Sequence, residues 1–219
     1  MDKLRLRFEK TGKAIWISHL DLMRVMQRAF LRAGCRMKYS EGFNPHPILS
    51  VCLPLSVGAA SRCELMDFRL DEAPDLAALP ARLTAAMPEG IRVLEVYPAE
   101  RKITELKWLR AEGRLEYDAG GAEEKAGALE EFFSRRPLTA PRRTKRGPEA
   151  FDLGPHLNGL LLEPGEGAVR LEAVISAQDP VVNPEPLIAA LREGAPALVP
   201  DFAAFTRLET YDAEMRVFR

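Results

Sequence analysis

The chain has 219 residues, 47% of them hydrophobic and 29% charged, with a net charge of −1. This composition is typical of a globular protein that buries a substantial core, and it is less basic than that of a dedicated DNA-binding domain. No run of about 18 apolar residues is present and the N-terminus lacks the apolar segment of a secretory signal, so we expect a cytoplasmic protein without membrane contact. The spacing of the three cysteines fits neither a zinc nor an iron–sulfur site, which favours reduced thiols and predicts no cofactor in this chain.

The first half of the chain alternates between strand and helix patterns. Residues 4–8 alternate with period two and predict a strand, which residues 14–17 resume after Gly12. Ser18 is a suitable N-cap for a helix that ends at about Ala33, before Gly34. The pattern then predicts strands over 48–55, 63–70 and 91–97 and a helix over 74–87. The order is the βαββαβ pattern of a ferredoxin-like sandwich.

The second half repeats this order more faintly. The pattern predicts helices over 122–133 and 184–192, and strands over 114–117, 151–153, 160–162, 169–176 and 205–211. A basic loop over 135–146 follows the first of these helices. We therefore predict an α+β protein with two tandem ferredoxin-like (βαββαβ) domains, residues 1–100 and 101–219.

Charge is distributed unevenly along the chain. Residues 1–50 hold ten Lys/Arg against four Asp/Glu, whereas residues 151–219 hold five against eleven. The basic loop 135–146 holds six Lys/Arg and no acidic residue. Basic segments of this kind attract phosphates, although a solvated loop has the same composition. The basic residues in its second part are Arg142, Arg143, Lys145 and Arg146.

The start of the first helix is the first candidate site. His19 is its first residue, between Ser18 and Asp21, and the helix dipole there disfavours a protonated imidazole. Three arginines recur on one stripe of the helix, Arg24, Arg28 and Arg32. The alternative is a plain helix cap by Ser18 and Asp21.

The loop Tyr39-Ser40-Glu41-Gly42-Phe43-Asn44-Pro45-His46-Pro47 is the second candidate site. The two prolines and Gly42 restrain its shape, and a connecting loop does not require Phe43 and His46. In a ferredoxin-like sandwich we expect this loop and the start of the first helix to lie near one end of the sheet, with the arginine stripe beside them. Gly58 and its small neighbours, next along the chain, fit either a close backbone approach or a tight hairpin.

The chain lacks the phosphate-binding, dinucleotide-binding and zinc-protease motifs, and it lacks the CxxxCxxC set of a radical S-adenosylmethionine (SAM) enzyme. The runs FEKTGKAIWISHLDLMRVMQRAFLRAG and KYSEGFNPHPILSVCLPLSVGAASRCELMDF resemble the bacterial radical SAM-associated (radical SAM-linked) protein family, and KRGPEAFDLGPHL resembles its second recurring segment. That domain occurs alone or fused behind a cobalamin-binding radical SAM enzyme, and no activity is established for it. The resemblance implies a stand-alone form with a radical SAM enzyme as partner. S-adenosylmethionine, the iron–sulfur cluster and cobalamin are expected only in that partner.

Three functions follow from these observations, in order of preference. The first is an RNA-binding or substrate-presenting accessory module, not an enzyme on its own, for RNA or ribosome-linked modification. Its arginines and basic loop would hold phosphates, while Tyr39, Phe43 and His46 would contact a base. The second is a metal-independent endoribonuclease using His19 or His46, since the predicted architecture is similar to that of CRISPR repeat endoribonucleases. The third is a protein-interaction scaffold that binds no nucleic acid.

Overall fold

The computed structural model describes residues 3–144 and 147–219. These residues form two compact units, one of residues 3–105 with Arg219 and the other of Leu106–Phe218. The described residues contain four α-helices, and their paired strands are antiparallel, so the predicted α+β class is confirmed. None of these helices is long and apolar enough to cross a membrane.

The first unit contains a four-stranded sheet and two helices. Its elements are β1 (Leu4–Lys10), α1 (His19–Arg32), β2 (Leu49–Val51), β3 (Ala60–Phe68), α2 (Leu79–Ala86) and β4 (Ile91–Pro98), with a 3-10 helix over Gly12–Trp16. The strand order is β4-β1-β3-β2, and each neighbouring pair is antiparallel. Both helices pack on one face of this sheet, because the apolar residues of β1 alternate onto that face. The buried core includes Leu4, Leu6, Phe8, Leu22, Met26, Phe30, Leu79 and Leu83.

Three predicted elements of this unit are wrong in type or length. The strand predicted over 14–17 is a 3-10 helix, because Gly12 has φ +54° and turns the chain away from the sheet. The strand predicted over 48–55 pairs with β3 only over Leu49–Val51. The helix predicted from residue 74 begins at Leu79, because the Asp75 side chain accepts hydrogen bonds from two backbone N–H groups of the preceding turn.

The second unit contains another four-stranded sheet, two helices and a separate hairpin. Its elements are β5 (Trp108–Glu116), α3 (Ala122–Ser134), β6 (Thr139–Thr144), β7 (Gly147–Asp152), β8 (Leu157–Gly165), β9 (Ala168–Ser176), α4 (Glu185–Gly194) and β10 (Phe202–Tyr211). The strand order is β10-β5-β9-β8, again with antiparallel neighbours. Short 3-10 helices cover Gly154–His156 and Pro196–Leu198.

The prediction of a loop over 135–146 is wrong, because half of this segment, Thr139–Thr144, is strand β6, which pairs with β7 in an antiparallel hairpin. The base of the hairpin is closed by Asp152, whose Oδ1 accepts from the N–H groups of Leu138 and Gly154, both at 2.9 Å. Sequence patterning missed the strand because its arginines and Pro141 obscure the period-two alternation. Lys145 and Arg146, which belong to the predicted basic site, lie outside the described residues.

Candidate functional site

The start of α1 is capped as predicted. The Ser18 hydroxyl accepts from the Asp21 N–H at 3.2 Å and donates to Asp21 Oδ2 at 2.7 Å. Arg24 donates to the other carboxylate oxygen at 2.8 Å. These bonds from Ser18 and then Arg24 lower the pKa of the exposed Asp21 carboxyl. All three side chains are therefore occupied in a local capping network.

The arginine stripe is only partly open to a ligand. Arg24 is paired with Asp21, and Arg32 donates to the backbone oxygen of Ala86 at 2.8 Å. Arg28 is exposed and forms no hydrogen bond or ion pair with another residue in the described part of the chain. Of the three, Arg28 therefore has its charge most freely available to an anion.

Three exposed apolar side chains lie near the start of α1. Trp16, Leu20 and Val57 are 68%, 67% and 55% exposed, respectively. The Gly58 N–H donates to the Ile15 oxygen at 3.0 Å, which brings the segment before β3 against the 3-10 helix. His19 itself is exposed, and its ring has no hydrogen-bond partner within the described ranges. We name Trp16, Leu20 and Val57 the α1-start surface.

A buried lysine that sequence patterning missed supports the α1-start surface. Lys10 is 1% exposed, and its Nζ donates to the backbone oxygens of Ile15 at 3.1 Å and Ile17 at 2.9 Å. These bonds fix the 3-10 helix over the end of β1. The alternating pattern of β1 does not reveal this role, because a charged residue at a strand end is usually solvated.

The second predicted site is a closed loop. The Ser40 N–H donates to the His46 oxygen at 2.8 Å, and the His46 N–H donates to the Ser40 hydroxyl at 3.1 Å. Ser40 Oγ and His46 Nδ1 share a further hydrogen bond at 3.0 Å, while the Asn44 oxygen lies 3.4 Å from the same nitrogen. Tyr39 and Pro47 form an isolated antiparallel bridge across the base of the loop. Hydrogen bonds between its two ends therefore restrain the backbone of this loop.

This loop presents aromatic side chains to solvent. Phe43, at its tip, is fully exposed, and Tyr39 is 54% exposed. Asn44 and His46 are also exposed. A fully exposed phenylalanine is unfavourable without a partner, because its ring contributes nothing to the core and orders water around it. We name residues 39–47 the aromatic loop.

The two predicted parts of the site lie at opposite ends of the first sheet. Leu4 of β1 pairs with Phe68, and Lys10 pairs with Ser61. The aromatic loop adjoins the Phe68 end, since the Lys38 N–H donates to the Arg69 oxygen at 3.0 Å. The α1-start surface adjoins the other end, next to Ala60. A strand rises about 3.3 Å per residue, so the length of β3 separates the two by about 25 Å.

The expectation of a single site near one end of the sheet is therefore wrong. The physical reason is that α1 runs back along the sheet, so the connections before and after it lie at opposite ends. His19 and His46 therefore do not belong to one site within this unit.

A third group of polar residues lies on the hairpin. The Arg142 guanidinium lies 4.9 Å from the centre of the Phe151 ring, and the His156 ring stacks on Phe151 with centroids 5.2 Å apart and planes 9° apart. Arg142 is exposed, while Phe151 and His156 are half-buried. Arg143 lies in β6 with its Cα opposite Pro148. In the sequence, Asp152 and His156 closely follow the basic segment and are candidates to add polar groups to the same surface. The contacts of Arg142 and His156 with the Phe151 ring were not predicted, because the hairpin itself was not predicted.

A buried ion pair lies on the sheet of the first unit. Arg5 Nε donates to Asp67 Oδ1 at 2.6 Å, and Lys3 Nζ lies 2.9 Å from Oδ2. Burial raises the pKa of the nearby Cys52 thiol to about 12 and that of the Tyr97 hydroxyl to about 12. Both groups are therefore neutral at physiological pH, and Cys52 is not an activated nucleophile.

Metal ligands are not clustered in the described part of the chain. No group of three His, Cys, Asp or Glu side chains there is arranged to hold a metal ion. Cys35, Cys52 and Cys63, which lie in that part, form no disulfide bond there.

The sequence matches the model of a known protein family. The model of a family described as uncharacterised proteins conserved in bacteria (DUF2344) matches residues 3–184. The chain belongs to this family. No curated protein matches the DUF2344 chain.

Three solved structures have weak similarity to the DUF2344 chain. An unknown protein from Galdieria sulphuraria is 10% identical with a TM-score of 0.28, and the match covers 94% of this chain and 98% of that one. A candidate glycine cleavage system transcriptional repressor is 11% identical with a TM-score of 0.26, over 94% and 98% of the two chains. Cse3 from Thermus thermophilus, bound to an RNA representing a pre-cleavage complex, is 16% identical with a TM-score of 0.21, over 93% and 98%. At these TM-scores the similarities carry no inference about function.

Proposed function

We propose that this DUF2344 chain is an RNA-binding or substrate-presenting accessory module that works with a cobalamin-type radical SAM enzyme in RNA or ribosome-linked modification. The observation that carries the proposal is the aromatic loop, whose backbone is closed by the Ser40 and His46 hydrogen bonds while Phe43 at its tip is fully exposed. Unpaired bases stack on exposed aromatic rings of this kind. A restrained loop loses little conformational entropy when it binds, which favours affinity.

The remaining polar groups of the first unit are consistent with an RNA ligand. His46 and Asn44 offer hydrogen-bonding groups next to Phe43, and Tyr39 offers a second flat ring. Arg28, on the exposed side of α1, carries a charge that is available to a phosphate. Arg24 and Arg32 contribute less, because each is engaged within the protein.

The radical SAM half of the proposal is supported by the resemblance of residues 8–34 and 38–68 to the radical SAM-associated family. The α1-start surface is the candidate contact for this partner, because it exposes three apolar side chains near the start of one helix. In this proposal the partner carries S-adenosylmethionine, the iron–sulfur cluster and cobalamin, and the present chain holds the substrate.

We further propose that each unit is a ferredoxin-like sandwich, so that the chain is a tandem pair. The antiparallel strand orders β4-β1-β3-β2 and β10-β5-β9-β8 support this assignment, as do the two helices of each unit. In the second unit, the β6–β7 hairpin is then an insertion between the first helix and the second strand of the sandwich.

Phe43→Ala is expected to weaken the binding of single-stranded RNA by about 5- to 30-fold, since stacking of one base contributes on the order of 1–2 kcal/mol. Fluorescence anisotropy with a labelled 12-nucleotide RNA, repeated over a salt series, measures this change. The matched control is Phe202→Ala, which removes another exposed ring, 58% exposed and opposite Glu116 in the acidic half of the chain. Equal losses in both variants would contradict a specific role for the loop. If the unaltered chain binds no RNA even at low salt, the scaffold function replaces this one.

A metal-independent endoribonuclease is the second candidate, and the Ser40–His46 hydrogen bond favours it because it orients the exposed imidazole. If the protein cleaves RNA, incubation with total RNA in EDTA yields discrete products that His46→Ala abolishes and His19→Ala does not. The two variants are matched, since both histidines are exposed and lie at opposite ends of the sheet. Intact RNA under these conditions would remove this function.

A further inference from the structure

The β6–β7 hairpin carries a preformed cluster of flat side chains. Arg142 of β6 and Phe151 of β7 are diagonal neighbours on one face of the hairpin, because Arg142 pairs with Glu149 and Ala140 pairs with Phe151. His156 lies in the 3-10 helix after β7, and its ring stacks on the Phe151 ring with the two centroids 5.2 Å apart. The position of His156 is fixed by its N–H bond to the Leu153 oxygen at 2.9 Å and by the closure of the hairpin base at Asp152.

The arginines around this cluster differ in their availability. Arg142 is exposed and lies over Phe151 without an ion pair in the described part of the chain. Arg135 lies over the buried Phe132 ring and 3.6 Å from Glu131, and Arg136 donates to the oxygens of Phe133 and Arg135. Among Arg135, Arg136 and Arg142, the arginines of this segment whose side chains the structure describes, Arg142 therefore combines a stacked aromatic ring with a charge that is not paired.

We propose that the hairpin is a second binding site for single-stranded RNA, in which a base stacks on the Arg142–Phe151–His156 cluster and Arg142 pairs with the adjoining phosphate. The proposal rests on the RNA-binding function argued above and assigns it a contact in the second unit. Aromatic rings and arginine guanidinium planes are the surfaces on which unpaired bases stack. A cluster whose members already stack on each other needs little further ordering when a base is added.

The main opposing charge is Glu149, directly across the hairpin from Arg142. Arg142 and Glu149, both among the described side chains, form no ion pair with each other. The Glu149 carboxylate therefore repels a phosphate that approaches Arg142. Its removal is expected to improve binding, which gives the proposal a gain-of-affinity test that damage to the fold does not imitate.

The experiment uses the full chain, a labelled 12-nucleotide single-stranded RNA and the duplex of the same sequence. Phe151→Leu keeps an apolar side chain but removes the flat ring, and it is expected to weaken single-strand binding by about 5- to 30-fold with little effect on the duplex. Arg142→Gln is expected to reduce the slope of log K against log salt by about 0.7, the contribution of one phosphate contact. Glu149→Gln is expected to tighten binding by about two- to fivefold.

Arg135→Gln is the matched control, because it removes another arginine that lies over a phenylalanine but is already paired with Glu131. It is expected to leave the salt slope unchanged. If Phe43→Ala weakens binding while the Phe151, Arg142 and Glu149 variants bind like the unaltered chain, the hairpin site is overturned and the proposed function stands. If the unaltered chain binds no RNA, the proposed function fails and the hairpin site fails with it.

Discussion

Asp67→Ala is expected to lower the free energy of unfolding of the first unit by about 3–5 kcal/mol, because it leaves the buried Arg5 guanidinium without its carboxylate. Arg5 is 0% exposed and Asp67 is 7% exposed. Two hydrogen bonds join them, from Nε at 2.6 Å and from Nη2 at 3.2 Å. Nη2 also donates to the Arg101 oxygen at 3.1 Å, so the arginine is oriented from two directions. Because the Arg5 side chain is fully buried, its desolvation is not compensated once the carboxylate is removed.

Urea denaturation followed by far-UV circular dichroism measures the loss, and hydrogen exchange of β1 and β3 peptides assigns it to the first unit. The matched control is Glu72→Ala, which breaks the Arg36–Glu72 pair of the same 2.6 Å length between side chains that are 71% and 68% exposed. This control is expected to cost less than about 1 kcal/mol. Similar losses in the two variants would show that burial of the Arg5–Asp67 pair does not decide its contribution.

The same pair predicts how the stability of the first unit depends on pH. Burial by itself raises the pKa of Asp67, but the hydrogen bonds from Arg5 and Lys3 outweigh it and lower the pKa of this carboxyl. The stabilisation is therefore fully present above the unfolded-state pKa of about 3.9 and is lost as the pH falls through the lower folded-state value. The difference in unfolding free energy between the unaltered chain and Asp67→Ala should narrow below about pH 4. Urea midpoints measured from pH 3 to pH 7 test this, and a difference independent of pH would contradict it.

Gly90→Ala is expected to lower the unfolding temperature of the first unit by about 10 °C or more, from a loss of at least about 2 kcal/mol. Gly90 has φ +88°, and a Cβ there would lie 2.3 Å from the Thr11 oxygen and 2.9 Å from the Ala14 Cβ. The Thr11 N–H donates to the Gly90 oxygen at 2.8 Å, so the turn before β4 and the 3-10 helix are in direct contact. A methyl group forces these backbones apart, in addition to the cost of the left-handed conformation.

Thermal unfolding by differential scanning calorimetry measures the effect of Gly90→Ala. The matched control, Gly34→Ala, has a similar φ of +70°, but its Cβ would meet only the end of the Arg82 side chain at 3.6 Å. It is therefore expected to lose only the conformational part, about 1 kcal/mol. If Gly90→Ala is no more destabilising than this control, the close approach to Thr11 is not tight in solution.

Much of the fold follows from local patterns. The alternation of Leu4, Leu6 and Phe8 identifies β1, and Ser18 with Asp21 identifies the start of α1. The composition of the aromatic loop distinguishes it from an ordinary connection, because a connecting loop does not require a phenylalanine at position 43 or a histidine at position 46. Periodicity failed at β6, where two consecutive arginines and Pro141 interrupt the alternation of apolar and polar residues, and the contact between Arg142 and Phe151 was missed for the same reason.

By itself, the sequence determined the α+β class, the order of most elements and the two motifs of the first unit, because burial and capping leave a signature within a few neighbouring residues. Only the tertiary structure decided that these motifs lie at opposite ends of the sheet, since this depends on the direction in which α1 crosses it. The pairing of Arg5 with Asp67, 62 residues apart, and the stacking of Arg142, Phe151 and His156 were likewise decided by strand register. Register follows from the packing of whole elements and leaves no signature in the spacing of either partner.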